Sequence, residues 1–173
     1  MSPLRPDLAD ELCARMSEDQ RIRTLPDAEQ PPDYLDQWHA IDAENTTALC
    51  RIVDAHGWPG FALVGEEGAT AAWLLAQHAD ENPAFQRRAL NLLAAAVDAG
   101  DANPAHLALL TDRCRVSEGR PQVYGSQYVR GPDGQWRMQP VEDPQHLDAR
   151  RTSVGLEPQA ANEARIQAMY NEY

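Results

Sequence analysis

Proline and glycine constrain this chain more than any other feature. They fall at intervals along its 173 residues and cut it into short segments. Inside most segments the apolar residues recur every three or four positions, the period of a helix with one buried face. Asp7 to Arg23 reads as a charged helix with few apolar positions. Thr24 to Asp36, with Pro26, Pro31 and Pro32, reads as an acidic arm or loop. An apolar stripe runs from Trp38 to His56 and stops at Gly57-Trp58-Pro59-Gly60. Glu66 to Asp80 is rich in Ala and Leu, and Pro83 opens a further helix that runs to Gly100. Asn103-Pro104 supplies a cap and a first-turn proline for a helix ending near Glu118-Gly119.

The period then changes. Gln122 to Val129 is aromatic and β-branched, Arg130 to Gly134 has turn chemistry, and Gln135 to Val141 returns, so a β-hairpin is expected over about residues 122–141. Asp143-Pro144 caps a final helical region that Gly155 and Pro158 interrupt. The expected fold is mainly α, a bundle of four central helices with flanking helices and one β-hairpin. Residues 1–36 form an N-terminal helix and Pro-rich acidic arm, and residues 37–173 a single α-rich domain.

Charge narrows the function classes. There are 27 acidic side chains against 15 basic ones, a formal net charge of −12, and every basic residue is Arg. Without lysine the chain cannot supply Schiff-base chemistry, a phosphate-loop lysine or a lysine general base. The arginines are scattered among acids, so no duplex nucleic acid is expected as a partner. No apolar run is long enough for a membrane span or a secretory leader, so a cytoplasmic protein with no membrane partner is expected. Cys13, Cys50 and Cys114 are odd in number and far apart, which suggests neither a disulfide framework nor a zinc knuckle.

Polar residues on apolar stripes carry the functional signal. His78 continues the face of Ala71, Leu74 and Leu75, while Asp80, two positions on, points elsewhere. Gln77 and Asp80 share a face with Trp73. Asn45 interrupts the stripe of Ile41, Leu49 and Ile52, Gln86 lies with Leu90 and Leu93, and Arg113 lies with His106, Leu109 and Leu110, preceded by Asp112. A polar group left unpaired in a dry interior costs about 1–3 kcal/mol. These groups must therefore meet one another, water or a ligand, and two readings compete: a hydrogen-bond network that fixes helix packing, or the wall of a pocket between helices.

Several short motifs stand in order along the chain: Gly57-Trp58-Pro59, Gln77-His78-Ala79-Asp80, Asp112-Arg113, Pro121-Gln122-Val123-Tyr124-Gly125-Ser126-Gln127, and Asp143-Pro144 to Arg150-Arg151. By these the chain resembles, from Trp38 to about Leu156, a bacterial family catalogued only as a domain of unknown function. Ser126 stands where that family usually has Thr. The resemblance implies no activity, but it singles out Asn45, His78, Gln86, Arg113, Tyr124 and Gln127 a second time.

Three functions are weighed. The first is a cofactor-independent enzyme acting on a small molecule as a hydrolase, lyase or transferase. His78 is its general acid/base, Arg113 holds a carboxylate or phosphate, and Tyr124 or Gln127 donates to a developing oxyanion. Asn45, Gln77, Asp80, Gln86, Asp112, Gln122, Ser126 and Gln127 bind substrate. No HExxH is present and His78 and Asp80 diverge, so no metal is expected. The second is a non-catalytic accessory protein that binds a small molecule or a protein partner, anchored by an exposed aromatic such as Trp136. The third is a purely architectural role for the polar set.

Overall fold

The computed structural model describes residues 3–171 and divides into two compact units, residues 1–103 and 104–173. Its architecture is mainly helical with one two-stranded antiparallel hairpin, the fold class expected. Among the described residues no helix is long and apolar enough to cross a membrane.

Unit one holds four helices: α1 (Pro6–Arg23), α2 (Tyr34–His56), α3 (Phe61–Gln77) and α4 (Pro83–Asp98). Despite its charges, α1 buries Leu8, Leu12 and Ile22. It approaches α3 closely because Gly68 has no side chain: a Cβ there would lie 3.3 Å from the Cα of Ala9. Leu49, Ile52 and Val53 of α2, Ala71, Ala72, Leu75 and Ala76 of α3, and Ala89 and Leu93 of α4 form the rest of the core.

Two local devices shape this unit. α2 ends at Gly57, whose φ of 75° only glycine adopts without strain, and its N–H bonds the carbonyl of Val53 at 2.9 Å. α3 breaks at Gly65 (φ 74°, ψ 175°). The carbonyls of Ala62 and Leu63 then accept the N–H groups of Leu4 and Arg5 at 3.1 and 2.8 Å, which ties the start of the chain to the break. α2 begins at Tyr34, inside the stretch 24–36 expected as an arm, and residues 24–33 contain one short 3-10 turn, Asp27–Glu29.

Unit two contains α5 (Pro104–Ser117), β1 (Tyr128–Arg130), β2 (Trp136–Met138), α6 (Leu147–Ser153) and α7 (Gln159–Asn171). The strands are three residues each, with Val129 opposite Arg137, and a single bridge joins Gln122 to Val141. α7 reaches this hairpin through Gln159, whose Nε2 donates to the hydroxyl of Tyr128 at 2.6 Å, and Gln167, which donates to the carbonyl of Trp136 at 2.9 Å. Trp136 is half-buried, not the exposed anchor expected of a partner surface.

Candidate functional site

α3 hands over to a tight turn at His78, which has left helical geometry (φ −95°, ψ 4°). His78 therefore caps the apolar stripe rather than extending it into the core. Its Nδ1 lies 2.9 and 3.0 Å from the two carboxylate oxygens of Asp19, on α1. The Asp19 side chain is 0% exposed and that of His78 16%. With Nδ1 engaged, Nε2 makes no hydrogen bond among the described residues and is not sealed from solvent.

Asp19 is held from several sides. Gln20 Nε2 donates to it at 2.8 Å and Arg23 Nε at 3.1 Å. Arg23 reaches on with its second arm to Asp42 of α2 at 2.5 Å, and Trp38 Nε1 donates to the same carboxylate at 2.9 Å. The guanidinium carbon sits 4.4 Å from the Trp38 ring centre, and Tyr34 packs edge-on against that ring. Burial by itself pushes the Asp19 carboxyl up. The hydrogen bond and charge of His78, with Gln20 and Arg23, outweigh it and hold the group below the ordinary aspartate value.

Asp19, Asp42 and His78 each offer a ligand atom within 4.8 Å of the other two, the spacing of a metal site. Here Arg23 already bonds both carboxylates, so a dication would have to displace a fixed guanidinium. The donor set fits an ion-pair network better than an open ion site.

The other expected residues of unit one have other partners. Asn45 accepts from Arg15 at 3.4 Å, and its buried Nδ2 has none. Gln86, 1% exposed, donates Nε2 to the carbonyls of Ala76 and Gln77 and to Asp80 Oδ1, each at 3.2 Å. It thereby satisfies carbonyls that the end of α3 leaves without intrahelical donors. Gln77 keeps its Oε1 buried with no hydrogen bond.

In unit two the expected residues converge on the segment 121–127. Asp112 of α5, 0% exposed, accepts the N–H groups of Val123, Tyr124 and Ser126 at 2.7, 3.0 and 3.0 Å and the Ser126 hydroxyl at 2.9 Å. Gln122, equally buried, exchanges bonds with Gln127 and donates to the carbonyl of Gln139. Arg150 and Arg151 of α6 bond the carbonyls of Val123 and Tyr124 at 2.9 and 2.6 Å. Gly125 (φ +65°) passes so close to Met138 that a Cβ would lie 2.8 Å from its sulfur. The backbone of this loop is thus tied to buried side chains at almost every step. Arg113 donates to Gln127 Oε1 at 3.2 Å, and Gln127 Nε2 donates to Ser126 Oγ at 3.1 Å. The hydroxyl of half-buried Tyr124 makes no hydrogen bond among the described residues. Ser126 Oγ bonds Asp112 and Gln127, so its oxygen is held by a carboxylate and an amide rather than by a base poised to activate it.

Residues 6–171 match a family described as a family of unknown function, DUF6624. The chain belongs to this family. No curated protein and no solved structure matches it. Membership in DUF6624 establishes kinship across nearly the whole chain and brings no activity with it, so function must be argued from the side chains. Two of those that matter in this DUF6624 chain, Asp19 and Arg23, were not among the expected site residues. Asp19 follows Leu8 and Leu12 on one face of α1 and precedes Ile22, so an acid on an apolar stripe was the available signal. A cleft of about 410 Å³ beside Arg15, Thr47 and Arg51 and another of about 270 Å³ beside Val116, Gly119 and Gln139 contain none of the expected residues. His106, half-buried on α5, is a further histidine of note: burial pulls it down to about 4.

Proposed function

We propose that this chain is an enzyme that acts on a small molecule with groups of its own, using His78 as general acid/base. The single observation that carries this reading is the bond from His78 Nδ1 to a fully buried carboxylate, Asp19, with Nε2 left to the solvent side. A carboxylate at Nδ1 fixes the ring's orientation and tautomer and stabilises the imidazolium that forms when Nε2 takes a proton. Arg23, Asp42 and Trp38 hold Asp19 in place, so the pair is set before any substrate arrives. Three free cysteines agree with a reducing, cytoplasmic setting.

A second reading, a non-catalytic binding protein, is favoured by the braced loop of unit two. Its braced backbone presents Tyr124, whose hydroxyl makes no hydrogen bond among the described residues, at little entropic cost on binding. An untargeted screen separates the two. Purified chain is incubated with a metabolite extract and analysed by mass spectrometry. The enzyme reading expects at least one metabolite to be consumed by the wild type and spared by His78→Ala. An extract left unchanged by the wild type, with one component retained on the protein, favours the binder.

A further inference from the structure

We infer that the group His78 serves belongs to a substrate bearing an oxyanion, a carboxylate or phosphoryl group, and that Arg23 is its anchor. This rests on the reading of His78 as the acid/base and names the substrate class for the same site.

Arg23 spends Nε on Asp19 and one terminal nitrogen on Asp42, and its Nη1 makes no hydrogen bond among the described residues and is not sealed from solvent. His78 Nε2 has the same standing. Both side chains are 16% exposed, and both bond the same oxygen, Asp19 Oδ1, at 3.1 and 2.9 Å, which makes them immediate neighbours. The acceptors between them are already engaged: Asp19 takes His78, Gln20 and Arg23, and each oxygen of Asp42 takes one donor, Arg23 or Trp38. What this cluster turns toward solvent is therefore two nitrogens without a partner, beside the edge of Asp42, 15% exposed, whose oxygens each already accept one bond.

Surface arginines usually bind weakly because ordering a long side chain costs entropy. Arg23 is already immobilised by two carboxylates and the Trp38 ring, so its Nη1 is in place to donate to an oxyanion's oxygen. Two carboxylates face one guanidinium in the cluster. An oxyanion bonded to Arg23 then lies beside His78, with Nε2 as its second polar neighbour.

The test uses inorganic phosphate as probe on the full 15N-labelled chain, read by long-range 1H–15N imidazole spectra in which His78→Asn assigns the ring. Phosphate should shift the His78 nitrogens saturably, acetamide should leave them in place, and Arg23→Lys should weaken the effect about tenfold or more, because lysine keeps the charge but cannot bond both carboxylates and a ligand. A response to acetamide equal to that of phosphate, a phosphate response confined to the other histidines, or full retention in Arg23→Lys would overturn the assignment. Should Arg23→Lys not fold, the comparison of phosphate with acetamide on the wild type decides alone. None of these readings depends on turnover, so loss of the oxyanion site and loss of the acid/base role are told apart.

Discussion

Asp19 and His78 lie 59 residues apart in sequence and 2.9 Å apart in space. One is a fully buried acid on the first helix, the other the residue on which the third helix ends. Each accounts for the other: the carboxylate would be costly to bury without its donors, and the imidazole would be free to turn without its acceptor.

Asp19→Asn is the first expectation. The carboxamide keeps the volume and loses the charge that stabilises an imidazolium, so turnover should fall by about 10²–10⁴-fold. Asp19→Ala should in addition lower unfolding stability by about 2–4 kcal/mol, since Arg23 loses one of its two acids. Urea denaturation followed by circular dichroism measures the second effect.

Asp112 carries a larger structural share in unit two. Asp112→Ala removes the acceptor for three backbone N–H groups and a hydroxyl, and should cost about 3–5 kcal/mol. Amide hydrogen exchange should show the loss of protection centred on residues 123–126.

Gly68→Ala tests the close approach of α1 to α3. The added methyl carbon would stand 2.8 Å from Val64 Cβ and 3.3 Å from Ala9 Cα, so a loss of about 1–3 kcal/mol is expected in place of the gain that alanine normally brings to a helix. Thermal unfolding of the variant reads this directly.

Two pH windows should be separable. His106 stands at about 4, against 6.5 for the free side chain, because burial disfavours its charged form. The unfolded chain then binds the proton first, so stability is full above pH 6.5 and declines as pH falls toward 4, by on the order of 1–3 kcal/mol. His106→Leu should flatten that slope. Asp19, held below its ordinary value, contributes stability above that value and loses it only at more acid pH, a loss that Asp19→Asn should remove.

How much of this was legible in the residues follows from the reach of each signal. Helices α2 to α5 were visible because Pro, Gly and Asn mark their ends and apolar residues keep one face. The hairpin was visible as a change of period, but its strands are short because the N–H groups of Val123, Tyr124 and Ser126 bond the Asp112 side chain instead of a partner strand. His78 stood out as a polar residue closing an apolar stripe. Its partner did not, because the contact spans 59 residues and α1 looked too charged to own a buried face. Asp112 and Gln122 were expected to bind substrate, and the structure shows their polar atoms engaged with loop backbone. Sequence places a polar residue on a buried face and does not say whether a ligand or a neighbouring peptide group meets it there.

The measurement that bears most directly on the acid/base role of His78 is chemical rescue. With a substrate found by screening, His78→Gly is assayed with and without added imidazole, after its fold has been verified. Turnover should fall by about 10²-fold or more and recover in proportion to the imidazole supplied. A His78→Gly variant that keeps the wild-type rate would contradict the role given to this residue.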